Sequence, residues 1–186
     1  MSDKELARAV ARDNEAAVLA FVKLYHPDMF RYMRSLGLRH EDAEDLAVET
    51  LLIAQRKVGS YRGESSLRTW IHRLAYRHYV RWNQKQKPTS RLPETLITGR
   101  SAHAAIDDAE SLRGAIANLP DTLRQPFVLH VVNDMPLDEI AVILDVPVGT
   151  VKSRLHFARA KLRELLAPST EESHVPIILE SGRRTR

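Results

Sequence analysis

The sequence predicts an all-α protein built as two small helical domains joined by a flexible linker. Three observations carry that expectation. Helix formers dominate the 186 residues, which include only 7 Gly and 9 Pro. Apolar residues recur at helical spacing in two blocks, about residues 14–82 and 109–166. Between the blocks lie Pro88, Thr89, Ser90, Pro93, Gly99 and Ser101, which is turn and loop chemistry. The chain therefore divides into a first domain (1–82), a linker (83–108), a second domain (109–167) and a C-terminal tail (168–186). A hydrophobic content of 44% is enough for packed cores.

In chain order, Met1 to Ala11 is charged and lacks an apolar centre, so no signal peptide is expected. No apolar run approaches the roughly 20 residues that span a bilayer, so no membrane insertion is expected either. Asn14–Leu24 and Met29–Leu36 read as two helices parted near Pro27, the second stopped by Gly37. Glu41–Val58 is the next helix, with Ala43, Leu46, Ala47, Thr50, Leu51 and Ala54 on one apolar face. Gly59 and Gly63 bracket a loop. Ser65 or Ser66 can then cap a helix from Leu67 to Trp82 whose buried side is Leu67, Trp70, Ile71, Leu74 and Ala75. In the second block, Pro126 should begin or kink a helix. Leu137–Leu144 reads as a short amphipathic helix with Leu137, Ile140, Ala141 and Leu144 inward. Asp145-Val146-Pro147 makes a turn; Asp tolerates left-handed geometry, and Pro147 is expected in the first turn of the helix that follows. In that helix Val151, Leu155, Ala158, Leu162 and Leu165 must face the core. The pair is the sequence shape of a helix-turn-helix, which presents its second helix to the DNA major groove. In the tail, Val175–Leu179 is apolar and Gly182–Arg186 basic.

Charge gives the blocks different partners. The net charge of +4 permits a polyanionic ligand. The absence of cysteine excludes disulfides and thiolate metal sites, and fits a reducing cytoplasm. Glu41, Asp42, Glu44, Asp45 and Glu49 fall together without an intervening base, and Glu41, Asp45 and Glu49 line one helical stripe. Acids near a helix N-terminus complement its dipole; an acidic stripe can equally dock a basic partner. A Mg²⁺ site for nuclease chemistry would need a second carboxylate cluster, which the sequence lacks. The next helix is the reverse: Arg68, Arg73, Arg77, Arg81, Lys85 and Lys87 run without an acid. Such a run is usually a solvated face. Here Tyr61, Trp70, Tyr76, Tyr79 and Trp82 interleave it, a combination suited to single-stranded nucleic acid: cations follow phosphates and rings stack on bases. Trp70 shares the apolar face and reads as core, whereas Tyr61, in the loop, is better placed to meet a base.

In the second helix of the helix-turn-helix, Thr150, Lys152, Ser153, Arg154, His156, Phe157 and Arg159 are left for the outer faces. Lys152 and Arg154 can donate to guanine or phosphate, Ser153 to either, while Arg159, Lys161 and Arg163 suit backbone contacts. His72, His78, His130 and His156 do not form a ligand set, and no catalytic triad or Gly-rich phosphate loop is present in the sequence. No catalytic residue, metal or cofactor is therefore expected.

Two stretches together resemble a known family. Asp42-Ala43-Glu44-Asp45-Leu46 and Tyr61-Arg62-Gly63-Glu64-Ser65-Ser66-Leu67-Arg68-Thr69-Trp70-Ile71 resemble conserved region two of bacterial sigma factors. Leu119-Pro120 and Leu137–Leu166, with Val148-Gly149-Thr150-Val151-Lys152-Ser153-Arg154-Leu155, resemble region four. Two such regions joined by a linker are similar to the extracytoplasmic-function group. The resemblance implies a cytoplasmic promoter-specificity subunit that is not itself an enzyme, of the alternative, signal-responsive kind. It implies that Asp42, Asp45, Leu46 and Glu49 meet the β′ clamp helices of core RNA polymerase. It implies that Tyr61, Arg62, Ser65, Ser66, Arg68, Arg73 and Arg77 recognise and open the minus-ten element. Thr150, Lys152, Ser153, Arg154, Phe157 and Arg159 would read the minus-thirty-five element as duplex, beside the β flap. An anti-sigma factor joins the set of partners that the resemblance implies. Gln55-Arg56 departs from the family's usual alanine and aromatic residue at that place. The rival readings are a stand-alone helix-turn-helix regulator, which binds duplex DNA without polymerase, and a metal-dependent nuclease.

Overall fold

The computed structural model describes residues 1–86 and 106–167. Within them the chain forms eight α-helices and no strand. Helix α1 (Asp3–Val10) is an element absent from the sequence expectation, although Leu6, Ala7 and Val10 keep helical spacing and are buried. A capping box opens it: Ser2 Oγ accepts from the Glu5 amide at 3.3 Å, and the Glu5 carboxylate accepts from the Ser2 amide at 2.7 Å.

Helix α2 (Glu15–Ser35) is capped by Asn14, whose Oδ1 accepts from the Ala17 amide at 2.9 Å. It corrects the sequence expectation, because the two helices predicted on either side of Pro27 are one. Proline in a helix interior costs about 3 kcal/mol. Burial outweighs it: Phe21, Tyr25, Met29, Tyr32 and Met33 all lie in the core on both sides of Pro27. Each such side chain contributes about 1.5–3 kcal/mol.

Helix α3 (His40–Lys57) follows the expected bounds closely and passes into a 3₁₀ turn over Val58–Ser60. Helix α4 (Leu67–Gln86) runs one turn beyond the expected end at Trp82. Ser66 is its cap, accepting the Thr69 amide at 3.0 Å. The Leu67 amide is taken by the Asp3 carboxylate at 2.6 Å, which fastens α1 to the start of α4. The far end of α4 is held from another quarter of the chain, with Asn83 Nδ2 donating to Asp121 at 3.0 Å.

The remaining helices are α5 (Ile106–Ala117), α6 (Asp121–Phe127), α7 (Leu137–Leu144) and α8 (Val148–Leu166). Helical structure thus reaches into both ends of the stretch read as linker; residues 87–105, and the tail with Val175–Leu179 and Gly182–Arg186, lie outside the described residues. Pro126 sits inside α6, and the chain answers it downstream with a π-helical turn over Val128–Val132. Asp145 adopts the left-handed conformation anticipated for it, φ 57° and ψ 51°. Pro147 departs from expectation: it is the N-cap of α8, extended at ψ 147°, rather than a residue of the first turn.

Helices α1–α4 and α5–α8 form two helical groups that share one continuous core. Helix α7 packs on α4, and the π turn and α5 pack on α2. Much of the join between the groups is polar. Asp28 is buried and accepts from Arg68 (2.8 and 3.1 Å), from His72 Nε2 (3.0 Å) and from Asn133 Nδ2 (3.1 Å). Arg68 also donates to the Asn133 carbonyl at 2.7 Å. Tyr32 donates to Gln125 at 2.5 Å, and Thr69 to Glu139. Burial would raise the Asp28 carboxyl, but the hydrogen bonds from His72 and Arg68 outweigh it and hold the group well below the usual carboxylate range. His72 is pushed below its ordinary value, chiefly by burial. Since ionised Asp28 can only accept, His72 is the neutral tautomer with the proton on Nε2.

Candidate nucleic-acid interface

The acidic stripe lies on the outer side of α3. Glu41, Asp45 and Glu49 are exposed, and Asp42 is half-buried beside Arg39 at 3.2 Å. Leu46, grouped with them on resemblance, is 2% exposed and belongs to the core. Helical geometry decides this, because Leu46 falls on the stripe of Ala43, Ala47 and Thr50 that packs inward. The apolar groups on the outer side are Val48 and Leu52, 42% and 44% exposed. The sequence expectation passed them over, although Val48 between Asp45 and Glu49, with Leu52 one turn further on, is their visible trace. The face is therefore acidic with an apolar seam.

The loop before α4 makes a cavity of about 350 Å³ lined by Ser60, Tyr61, Arg62, Gly63, Glu64 and Ser65 on one side. Thr69, Trp70 and Arg73 of α4 form its floor. Gly63 has φ +75°, a conformation that favours glycine, and lets the loop fold back on itself. Tyr61 donates its hydroxyl to the Ser65 carbonyl at 2.7 Å, and its ring meets Trp70 edge to face at 5.8 Å. Burial raises the Tyr61 pKa, so the phenol stays a donor at neutral pH. Trp70, read from the sequence as core, is half-buried and forms part of the wall. Ser65 and Ser66 stay half-buried, Ser66 spending its hydroxyl on the helix cap and on Thr69 at 2.7 Å.

The basic residues of α4 separate in space. Arg77 is exposed and Arg73 lines the cavity. Arg68 turns inward to Asp28 and Asn133. No periodicity in the sequence distinguishes these, since the partner of Arg68 comes from forty residues upstream.

In the helix-turn-helix, Val151, Leu155, Ala158 and Leu162 are buried as expected, while Leu165 is exposed at the end of α8. Lys152, Ser153, His156, Phe157 and Arg159 face outward. Ser153 Oγ donates to the Thr150 carbonyl at 3.0 Å, which leaves its lone pairs outward. Phe157 is 59% exposed and meets His156 edge to face at 5.7 Å. A large exposed ring on such a helix suits contact with a thymine methyl. Arg154 is half-buried and borders a cavity of about 400 Å³ shared with Tyr76, Tyr79 and Asn83 of α4. Val142 of α7 closes one side of the loop cavity around Tyr61. In this arrangement the two candidate DNA surfaces therefore face each other in part.

Among the described residues no group of three metal-ligating side chains converges, and no helix is long and apolar enough to cross a membrane. His72 goes to Asp28; His78 goes to Thr50 at 3.1 Å and Glu49 at 3.2 Å.

Comparison with known proteins gives the two halves separate matches. The family model described as Sigma-70 region 2 matches residues 21–89, and that described as Sigma-70, region 4 matches residues 109–162. The chain is 28% identical over 183 residues to the ECF RNA polymerase sigma factor SigW of Bacillus subtilis, covering 89% of this chain and 97% of that one. It is 29% identical over 168 residues to the ECF RNA polymerase sigma factor SigM of Mycobacterium tuberculosis, covering 89% and 85%. Its fold is similar to that of CnrH in complex with the cytosolic domain of CnrY, with a TM-score of 0.70 at 22% identity over 88% of this chain and 96% of that one. It is also similar to the sigma factor RpoE in complex with the anti-sigma factor NepR from Bartonella quintana, with a TM-score of 0.64 at 25% identity over 78% and 93%.

Proposed function

The chain belongs to the sigma-70 family, in its extracytoplasmic-function group, and from that premise we propose how its surfaces divide the work of starting transcription. As a sigma factor it binds core RNA polymerase and directs promoter-specific initiation, with promoter DNA as its second partner. It is an initiation factor, active in the cytoplasm where polymerase works. The observation that carries the division is the order of the two matched regions along one chain. An acidic docking face and an aromatic base-sized cavity lie in the first, and a basic recognition helix in the second. A stand-alone duplex regulator has no use for the first two.

Residues 1–82 form the unit that docks on polymerase and opens the minus-ten element; 109–167 form the unit that reads the minus-thirty-five element. Asp42, Asp45 and Glu49, with Val48 and Leu52, present the face for the β′ clamp helices. The apolar pair supplies area and the acids select a basic partner. Tyr61, Arg62, Ser65, Ser66, Arg73 and Arg77 handle the opened strand. Extruding a base costs a few kcal/mol, which contacts in the cavity between Tyr61 and Trp70 offset. Thr150, Lys152, Ser153, Phe157 and Arg159 read the upstream element. Arg68 and Arg154 join their sites once α7 moves away from α4. An anti-sigma factor that holds the two units together would keep both surfaces covered.

In vitro transcription with core polymerase and a genomic promoter library tests the whole. Promoter-dependent transcripts are expected; duplex binding without polymerase and without transcripts would return the stand-alone regulator. Asp45→Arg should weaken assembly with core polymerase by at least tenfold. Lys152→Ala should leave assembly intact and weaken use of the upstream element. Equal loss of assembly by both variants contradicts the division.

A further inference from the structure

Lys4 and Arg8 lie i, i+4 on α1, Arg12 lies in the turn that follows it, and all three are exposed. Leu6, Ala7 and Val10 bury the other side of α1. A charge stripe of this kind is ordinarily a solvated face. Three observations separate this one from that case. First, the stripe opens into a cavity of about 340 Å³ that its cations line together with Arg62, Val58, Gly59 and Tyr61, and no acidic residue borders it. Second, α1 is fixed to the loop that builds the base-sized cavity. Asp3 holds the Leu67 amide, and the Lys4 side chain lies across Gly63, where any Cβ would collide with it. Third, among the described residues none of Lys4, Arg8, Arg12 and Arg62 forms an ion pair, while the acids of α1 are engaged elsewhere, Asp3 at Leu67 and Glu5 at Ser2. Four like charges around one concavity repel one another, and a polyanion relieves that repulsion.

Tyr61 and Arg62 line both this cavity and the base-sized one, so the two stand back to back across the same pair of residues. Lys4 and Arg8 stand about 6 Å apart along α1 and Arg12 follows in the turn just beyond its end, an order that an extended strand can follow phosphate by phosphate. The basic cavity offers no large apolar pocket for a peptide anchor, which favours a nucleic acid over an acidic protein segment.

We propose that Lys4, Arg8, Arg12 and Arg62 form a phosphate track that carries the single-stranded promoter strand onward from the cavity at Tyr61. The ligand is the phosphodiester backbone, held without regard to base sequence. The inference rests on the reading of the loop at Tyr61 as the minus-ten site.

The test uses the full chain assembled with core polymerase and fluorescently labelled single-stranded non-template oligonucleotides. One covers the minus-ten element alone; the others extend it by several nucleotides on either side. Affinities are measured by anisotropy across a range of salt. The wild type is expected to gain affinity from extension on one side. An Arg8→Ala/Arg12→Ala variant should lose that gain, about tenfold, and its salt dependence should fall by about 1.4 in slope for two phosphates released. Binding of the short oligonucleotide should hold within twofold. Arg8→Lys/Arg12→Lys should restore the slope, because lysine keeps the point charge. An Ala variant matching the wild type on every oligonucleotide overturns the track alone. A variant impaired only in assembly with core polymerase also overturns it, by giving the surface to a protein. A wild-type holoenzyme that binds no oligonucleotide overturns the minus-ten reading itself and the track with it.

Discussion

Asp28→Asn removes the charge around which the two helical groups are joined. The Asp28 side chain is 10% exposed and accepts hydrogen bonds from Arg68, His72 and Asn133. In the asparagine variant Oδ1 still accepts from Arg68 Nη2 and Asn133. The new amide, however, faces two donors, Arg68 Nε and His72 Nε2. Hydrogen bonds to a charged group contribute about 1.5–3 kcal/mol each, and a buried group left unpaired costs about as much again. Arg68 is 36% exposed, so its share is reduced by solvent screening, and His72 can shift its proton to Nδ1. A loss of about 3 kcal/mol remains. For a chain of this size that corresponds to a midpoint lower by about 8 °C.

The pH dependence follows from the direction of the shift. The folded carboxyl is held below its ordinary value, so its stabilisation is complete above the unfolded value near 4. It declines below that and is lost as pH falls through the folded value, at about 1.4 kcal/mol per pH unit. The variant has no such titration. Urea unfolding followed by far-ultraviolet circular dichroism should show the full gap at pH 7 and one narrower by about 1 kcal/mol at pH 3. A gap below about 1 kcal/mol at pH 7, or one unchanged at pH 3, refutes the account.

Other outcomes follow from particular contacts. Tyr32→Phe should cost about 1–3 kcal/mol in the same unfolding assay, because Gln125 is buried and its Oε1 loses its donor; a neutral result would mean that Gln125 finds another. Asp145→Gly should raise stability by about 0.5–1 kcal/mol, since the residue is left-handed at φ 57°, and a lower melting temperature would contradict this. Asn133→Ala with Glu139→Ala removes the bond that Thr69 of α4 donates across the join and the one that Asp28 accepts across it. Solution scattering should show a larger radius of gyration for this pair of substitutions, and a curve superimposing on the wild type would mean that apolar packing alone holds the groups together.

The structure bears out several sequence readings whose controlling interaction is local, though not that of Pro147. Helices α3, α7 and α8 are legible because each alternates apolar and polar residues at a helical period, and a period is a property of neighbours along the chain. The left-handed turn at Asp145 and the cap before Leu67 are legible for the same reason. Helix α2 shows where local reading stops. Pro27 is a breaker by its own chemistry, and only the core contacts of residues on both sides of it keep the helix whole. Helix α1 carries local signals too, a capping box and the spacing of Leu6, Ala7 and Val10, and the sequence expectation left it out.

The chemistry of the candidate sites divides along the same line. Residue types and their order announced an acidic face, an aromatic loop and a basic recognition helix, because charge and motif survive without coordinates. Which member of a stripe faces outward was a tertiary decision. Leu46 went to the core while Val48 and Leu52 came to the surface. Arg68 and Arg154, alike in sequence to their exposed neighbours, turned toward the other helical group. Arg62 meets Lys4, Arg8 and Arg12 around one cavity, because α1 folds back on the loop at Gly63. The sequence by itself determined which chemical groups the protein owns and which helices carry them. The tertiary structure alone decided which of them meet, since contacts between distant segments depend on how the helices pack and leave no period in the chain.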